Sequence, residues 1–191
     1  MAGKQAKLLT PSQVRSVLRH VNRSRYPVRD RAILLLSLKA GLRAGEIANL
    51  TWPMLLDADG RVGDLVELYD MAAKKGSGRV IPLHPLLKTA LVRLWAQRGP
   101  GSYVIESERA ERLRPSSVVN WFARLYGELG LEGCSSHSGR RTFITRAARL
   151  VFKVGGSLRD VQQLAGHSSI DQTQGYIEGD SRAKRRLVEL L

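Results

Sequence analysis

Histidines, arginines and a tyrosine are gathered in two short stretches in the last third of the chain. The stretch HSGRRTF contains His137 and Arg140, and LAGHSSIDQTQGYI contains His167 and Tyr176. A guanidinium grips phosphate oxygens through paired N–H donors and stays charged at any cellular pH. Imidazoles exchange protons, and a phenol oxygen can act as a nucleophile. Together these groups are suited to chemistry on a phosphate ester, without the carboxylate ligands of a metal site.

A second set of cationic residues lies in the first half of the chain. Arg43, in GLRAGEIANL, stands at the mouth of a predicted helix, where its guanidinium projects with limited freedom. With Arg140 it could stabilise the extra negative charge of a pentacoordinate phosphorus. Lys74 and Lys75 begin the hairpin turn KKGSG, from which a lysine could enter a DNA groove and protonate a leaving oxygen. Considered alone, each of these residues could instead have an ordinary structural or surface role.

The charge of the chain indicates a polyanionic partner. Its 191 residues include 31 Lys and Arg against 17 Asp and Glu, a net charge of +14. Residues 1–50 carry ten basic against two acidic residues and residues 134–191 carry ten against five, whereas the middle is nearly neutral. Such an excess, concentrated in two segments, favours nucleic acid as the partner over a uniformly basic, merely soluble surface.

Cysteine content and hydropathy indicate the cellular compartment of the protein. The one cysteine, Cys134, excludes an intrachain disulfide, provides no zinc cage and agrees with a reducing cytosol. The segment AILLLSLKAGL is too short to cross a bilayer, and MAGKQAKLLTPSQ lacks the apolar core of a signal peptide. We therefore expect an intracellular, cytoplasmic protein with no membrane partner.

The elements that must position these residues are mainly helical. Thr10 and Pro11 predict the start of a first helix. Apolar periodicity predicts further helices over 28–40, 44–50, 85–97, 115–129, 138–152, 157–165 and 170–176, with a basic tail at 181–190. Strands are predicted in LTWPMLL, DLVELYDM and RVIPL. The fold class is therefore α+β: mainly α, with a small three-stranded antiparallel sheet, in one domain spanning residues 1–191.

Taken together and in this order, four motifs resemble those of the tyrosine recombinases, the phage integrase family. They are GLRAGEIANLTW for the first arginine box, KKGSGRVIPL for the lysine hairpin, HSGRRTF for the second arginine box and LAGHSSIDQTQGYI for the closing box. The resemblance runs from about Leu8 to Leu191. It implies the fold of a tyrosine-recombinase catalytic domain.

The resemblance also implies roles for individual residues. Arg43 and Arg140 would hold the scissile phosphate, and His137 and His167 would hydrogen-bond it and manage protons. Tyr176 would attack phosphorus and form a 3′-phosphotyrosyl link, and Glu46 would orient the first arginine. By its interval to Pro82, Lys74 would be the general acid for the 5′-oxygen. Further DNA contacts are expected from Lys75, Arg79 and Arg141.

The implied reaction needs neither ATP, metal nor another cofactor, because the phosphotyrosyl link stores the energy of the broken phosphodiester. The implied partner is double-stranded DNA in a nucleoid, bound by a homotetramer assembled through the C-terminal tail. The free chain would be a monomer or a weak oligomer. Alternatively, the tail could be an ordinary helix that packs on its own domain and not on a neighbouring chain.

Two features depart from the family pattern. Members commonly carry a helical core-binding domain before the catalytic domain, whereas here only about ten residues precede the first predicted helix. We therefore expect either a stand-alone catalytic-domain recombinase or a fragment. Gly139 stands where many relatives have a larger apolar residue, and it predicts a loosened helix start. Two other functions stay open: strand relaxation of the type IB topoisomerase kind, and a non-catalytic DNA-binding regulator.

Overall fold

The computed structural model describes residues 5–69, 78–97, 101–108, 110–176 and 188–189. Eight α-helices lie in these ranges. They are α1 (Pro11–Val21), α2 (Pro27–Lys39), α3 (Ala44–Asn49), α4 (Pro85–Ala96), α5 (Pro115–Glu128), α6 (Ser138–Leu150), α7 (Leu158–Ala165) and α8 (Ile170–Gln174). Each helix predicted between residues 10 and 176 is present, with ends within a few residues of the predicted bounds. The basic tail predicted at 181–190 lies almost entirely outside the described residues.

Local signals set several helix ends. Thr10 accepts a hydrogen bond from the Gln13 amide, and the Gln13 side chain returns one to the Thr10 amide, which closes a capping box. Gly41 follows α2 with a φ of +65°, a conformation that favours glycine. A side chain there would also collide with the ring of Phe143 on α6. The turn before Arg43 therefore depends on glycine for two reasons.

The sheet has two strands among the described residues, where three were predicted. Strands β1 (Leu65–Leu68) and β2 (Arg79–Pro82) pair antiparallel, with Leu65 opposite Pro82 and Leu68 opposite Arg79. The strand predicted in LTWPMLL is wrong. Trp52–Met54 forms a 3₁₀ turn flanked by single bridges at Thr51 and Leu56, because Pro53 lacks an amide proton and has a restricted φ.

Helix α2 is the centre of the main core. Its residues from Ala32 to Leu36 are fully buried, and it packs against α1, α3, α4 and α6. A smaller core cluster lies between α6 and α7 and contains Ile144, Ala148, Val151, Val161 and Ala165. Tyr176 packs against this cluster, so the second core supports the segment that carries the tyrosine.

Gly139 does not loosen the start of α6. The helix begins at Ser138, and at Gly139 the backbone of α6 lies directly against Ser37 of α2. A Cβ at this position would lie 2.9 Å from the Cβ of Ser37 and closer still to its hydroxyl. The expectation from sequence is corrected here, because the missing side chain permits close helix packing.

This packing yields a testable prediction. Gly139→Ala is expected to lower the free energy of unfolding by about 1–3 kcal/mol, because the buried Ser37 cannot move away without separating α2 from α6. Urea denaturation measures the change. Gly127→Ala is the matched control: an added Cβ at this exposed position of α5 contacts nothing within 4 Å, so the variant should equal or slightly exceed the parent in stability. Equal stability of both variants and the parent would contradict the prediction.

Candidate active site

Six of the predicted site residues line one cavity of about 450 Å³. They are Arg43, His137, Arg140, Arg141, His167 and Tyr176. Arg43 precedes α3, His137 and Arg140 lie at the start of α6, His167 lies between α7 and α8, and Tyr176 follows α8. The tertiary structure thus brings the first arginine box, the second arginine box and the closing box together.

Arg140 is the most deeply held cation of the cavity. The residue is 3% exposed, and its guanidinium donates to the carbonyl oxygens of Gly41 at 2.7 Å and Ala165 at 2.6 Å. Burial and the positive charge of Arg43 lower its pKa to about 10, which leaves it protonated at neutral pH. The two backbone bonds hold the guanidinium in place and leave further N–H donors for a ligand.

Arg43 is positioned by Glu46. The carboxylate of Glu46 accepts from the Arg43 guanidinium at 2.7 Å and from the Arg43 amide at 2.8 Å. The Arg43 side chain keeps 25% of its surface exposed, whereas that of Glu46 is 1% exposed. Glu46 therefore orients Arg43, the role predicted for it, and Arg43 lines the cavity.

Arg79 is turned into the protein, in contrast to its predicted role as a DNA contact. Its side chain is 6% exposed and donates two hydrogen bonds of 3.0 Å to Glu46 and one of 3.0 Å to the Leu164 carbonyl. One guanidinium therefore ties β2 to α3 and to α7. The residue is a positioning residue, and sequence reasoning missed this because an arginine in a basic hairpin normally points to solvent.

Glu46 is consequently a buried carboxylate between two guanidinium groups. Burial alone would raise its pKa, but the hydrogen bonds and charges of Arg79 and Arg43 outweigh this effect and hold the pKa below its ordinary value. The carboxylate is ionised at neutral pH. It supplies the negative charge that keeps Arg43 and Arg79 close together.

His167 is mostly buried but lines the cavity. Its Nδ1 lies 2.9 Å from Oγ1 of Thr173, and its ring stacks on the ring of Tyr176 with centroids 5.3 Å apart and planes at 25°. Burial and the charges of Arg140, Arg43 and Arg79 lower its pKa to about 4. The imidazole is therefore neutral at physiological pH.

Tyr176 is held at its backbone and at its ring. Its amide donates to the Thr173 carbonyl at 3.1 Å, and its carbonyl accepts from the Thr145 hydroxyl of α6 at 3.2 Å. Its ring packs on the smaller core cluster and on His167. The phenol thus lies in the cavity with both arginines in this structure.

The N-terminal segment forms part of the cavity wall, which was not predicted from the sequence. Gln5 and Ala6 line the cavity, and the Ala6 carbonyl accepts from the Arg141 guanidinium at 2.6 Å. The Leu9 amide donates to the Thr142 hydroxyl at 2.9 Å. One N–H donor of Arg141 is therefore used in binding the N-terminal segment, and its other donors can contact DNA. These pairs are separated by more than 130 residues, so no local pattern could have indicated them.

The two predicted lysines, Lys74 and Lys75, fall outside the described residues; in the sequence they come between β1 and β2. His137 is exposed at the start of α6 and lines the cavity. Within the described part of the chain, no group of three or more His, Cys, Asp or Glu side chains is placed to hold a metal ion, and no helix is long and apolar enough to span a membrane.

Curated relatives share the sequence over most of the chain. Tyrosine recombinase XerC of Myxococcus xanthus is 31% identical over 162 residues, which are 79% of this chain and 50% of that protein. Tyrosine recombinase XerA of Pyrococcus furiosus is 29% identical over 186 residues, 96% of this chain and 61% of that protein. Tyrosine recombinase XerD of Rickettsia conorii is 25% identical over 187 residues and is covered to 60% of its length. The chain thus spans only part of the relatives it matches.

Solved structures share the fold. The Tn1549 transposon integrase in complex with a circular intermediate DNA matches with a TM-score of 0.77 at 21% identity, over 100% of this chain and 67% of that one. The XerA recombinase matches with a TM-score of 0.74 at 22% identity, over 96% of this chain and 64% of that one. The model of the phage integrase family matches residues 7–182. With its four motifs, its fold and this match, the chain belongs to the phage integrase family.

Proposed function

We propose that this chain is the catalytic domain of a tyrosine-type site-specific DNA recombinase, or integrase, that cuts and rejoins DNA strands. The observation that carries the proposal is the single cavity shared by two arginines, two histidines and Tyr176 in a member of this family. The curated relatives are named tyrosine recombinases, which supports the same reaction.

The arginines bind the scissile phosphate. Arg140, held by two backbone carbonyls, and Arg43, held by Glu46, supply fixed positive charge to the non-bridging oxygens. Their donors are oriented before the substrate arrives, so no reorganisation is needed when charge builds up on the pentacoordinate phosphorus. This stabilisation takes the place that magnesium has in other phosphoryl-transfer sites.

Tyr176 is the nucleophile. Its phenol oxygen bonds to phosphorus, its proton passes to His137, and the bond from phosphorus to the 5′-oxygen breaks. A tyrosine has a pKa near 10 in water, so the positive field of the cavity is needed to favour the phenolate in the transition state. The product is a 3′-phosphotyrosyl link and a free 5′-hydroxyl.

Lys74 is the general acid that protonates the departing 5′-oxygen. The sequence interval to Pro82 supports this choice over Lys75, which contacts a phosphate. The antiparallel pairing of β1 with β2, and the bonds of Arg79 to Glu46 and Leu164, tie the base of this hairpin to the cavity. In the second step, a 5′-hydroxyl of another strand attacks phosphorus and releases Tyr176.

The substrate is double-stranded DNA, bound mainly through its backbone. A net charge of +14, with the excess in the first and last segments, supports an electrostatic interaction. Arg141 stands at the cavity edge, where a flanking phosphate would lie beside the scissile one. The reaction needs no cofactor, and its setting is the nucleoid in the cytoplasm.

Assembly on DNA uses exposed apolar residues. Leu150, Phe152 and Val154, at the end of α6 and in the following 3₁₀ turn, are 54%, 66% and 82% exposed, and Val188 near the C-terminus is 69% exposed. Docking of one chain's tail on a neighbour in a homotetramer would cover them. A chain ending at Gly179 is expected to elute as a monomer in gel filtration with and without DNA, whereas the parent assembles only with DNA. Equal assembly of both chains would contradict the role of the tail.

Covalent trapping tests the function as a whole. The chain is incubated with nicked duplexes from a library of half-sites, in which the short fragment with the free 5′-hydroxyl diffuses away and the phosphotyrosyl adduct accumulates. We expect a denaturant-resistant protein–DNA adduct on a subset of sequences. If DNA is bound on every duplex and no adduct forms on any, the chain is a DNA-binding module and not a recombinase domain.

A further inference from the structure

Thr173 joins the two reactive groups of the closing box. It is fully buried on α8, its hydroxyl lies 2.9 Å from Nδ1 of His167, and its carbonyl accepts the amide of Tyr176 at 3.1 Å. One residue thus contacts both the imidazole through its side chain and the tyrosine through its backbone. None of the motif assignments gives it a role.

The groups around Thr173 decide whether its hydroxyl or Nδ1 of His167 donates the hydrogen bond between them. Among the residues that the structure describes, the Thr173 hydroxyl makes no second hydrogen bond. If Nδ1 carried the proton, the hydroxyl proton would be buried without an acceptor, which costs about 1–3 kcal/mol. If the hydroxyl donates to Nδ1, both groups are satisfied. The second arrangement is therefore the stable one.

The direction of this hydrogen bond determines the tautomer of the His167 imidazole. A neutral ring carries one proton, so an unprotonated Nδ1 requires the proton on Nε2. The charged and titratable groups around His167 are Arg43 and Glu46 at α3, Arg79 on β2, His137 and Arg140 at α6, and Asp171 and Tyr176 at α8. Three of the cations lower the pKa of His167 to about 4, so the ring is not doubly protonated at neutral pH.

We propose that Thr173 is a positioning residue that holds His167 in the tautomer with the proton on Nε2. In this state His167 donates a hydrogen bond to a non-bridging oxygen of the scissile phosphate and takes no part in proton transfer. The Nε2 atom makes no hydrogen bond to the described residues, while the residue lines the cavity. The proposal rests on the proposed function for its ligand, but the tautomer itself does not.

The geometry extends the role to Tyr176. The ring of His167 stacks on that of Tyr176, so the bond from Thr173 also sets the plane against which the phenol packs. Rotation of the imidazole would displace both the donor and the stacked ring. Loss of the hydroxyl should therefore reduce the rate of bond cleavage and leave DNA affinity nearly unchanged.

Two matched variants test the proposal. Thr173→Val keeps the shape of the side chain and removes the hydroxyl, and Thr173→Ser keeps the hydroxyl. The tautomer is read from the ¹⁵N shifts of the His167 ring in labelled free protein, assigned with His167→Asn. We expect an Nε2 proton in the parent and in Thr173→Ser, and a mixture of tautomers in Thr173→Val.

Single-turnover adduct formation on nicked DNA gives the second readout. Thr173→Val should cleave about 10–100-fold more slowly at saturating DNA with an affinity within about twofold of the parent, and Thr173→Ser should restore the rate to within about threefold. Equal rates and tautomers in parent and Thr173→Val would overturn the proposal, as would an Nδ1 proton in the parent. The parent spectrum decides the tautomer even if the valine variant does not fold. Because the spectra need no DNA, failure of the parent to form an adduct would count against the proposed function alone.

Discussion

Tyr176→Phe is expected to abolish covalent adduct formation on nicked DNA, with a loss of roughly 10⁴-fold or more, because no other group replaces a removed nucleophile. The phenylalanine ring retains the packing on the smaller core cluster and the stacking on His167, so DNA binding and the free energy of unfolding should be close to those of the parent. Denaturing electrophoresis of trapped complexes, with a binding titration on the same duplex, measures both quantities.

Tyr126→Phe is the matched control for this prediction. Tyr126 is buried in α5, and its hydroxyl has no hydrogen-bond partner among the described residues. Burial raises the pKa of its phenol, so it is no candidate nucleophile. This variant should trap DNA like the parent. An adduct formed by Tyr176→Phe would mean that another residue attacks phosphorus.

Glu46→Gln is expected to have the largest effect on stability and to inactivate the site as well. The substitution leaves the buried Arg79 guanidinium without its charge partner and turns an amide N–H₂ toward it, which should lower the free energy of unfolding by about 3–5 kcal/mol. Arg43 loses the acceptor that orients it, so the cleavage rate should also fall, by about tenfold or more. Urea denaturation and single-turnover trapping are the measurements.

The pH dependence of this loss has a definite sign. Because the pKa of Glu46 in the folded chain lies below its ordinary value, its contribution is fully present above the unfolded pKa and is lost as pH falls through the folded pKa. The stability difference between the parent and Glu46→Gln should thus be constant from pH 6 to 8 and shrink only in acid. Glu128→Gln is the control, since this half-exposed acid pairs with His20 on the surface and should change stability by less than about 1 kcal/mol. If both variants lose less than about 1 kcal/mol of unfolding free energy, the ion pairs of Glu46 with Arg43 and Arg79 do not stabilise the fold.

Much of the local structure could be read from the sequence. The capping box at Thr10 and the apolar periodicity predict helix starts and lengths because both depend on residues within one or two helical turns. The strand predicted in LTWPMLL is absent, although the segment is largely apolar. Pro53 and the pairing of Thr51 with Tyr103 instead give a 3₁₀ turn.

The sequence by itself determined which chemistry the chain carries: the arginines, histidines and tyrosine, their order, and the helix ends that present them. Only the tertiary structure decided which basic residues reach the cavity. Arg79 turns inward to Glu46, Arg141 holds Ala6, and Thr173 reaches His167 beneath the surface. The physical reason is that motifs are local, whereas burial and pairing depend on segments far apart in the chain. A guanidinium next to a hairpin turn contacts DNA or a buried carboxylate according to what packs above it.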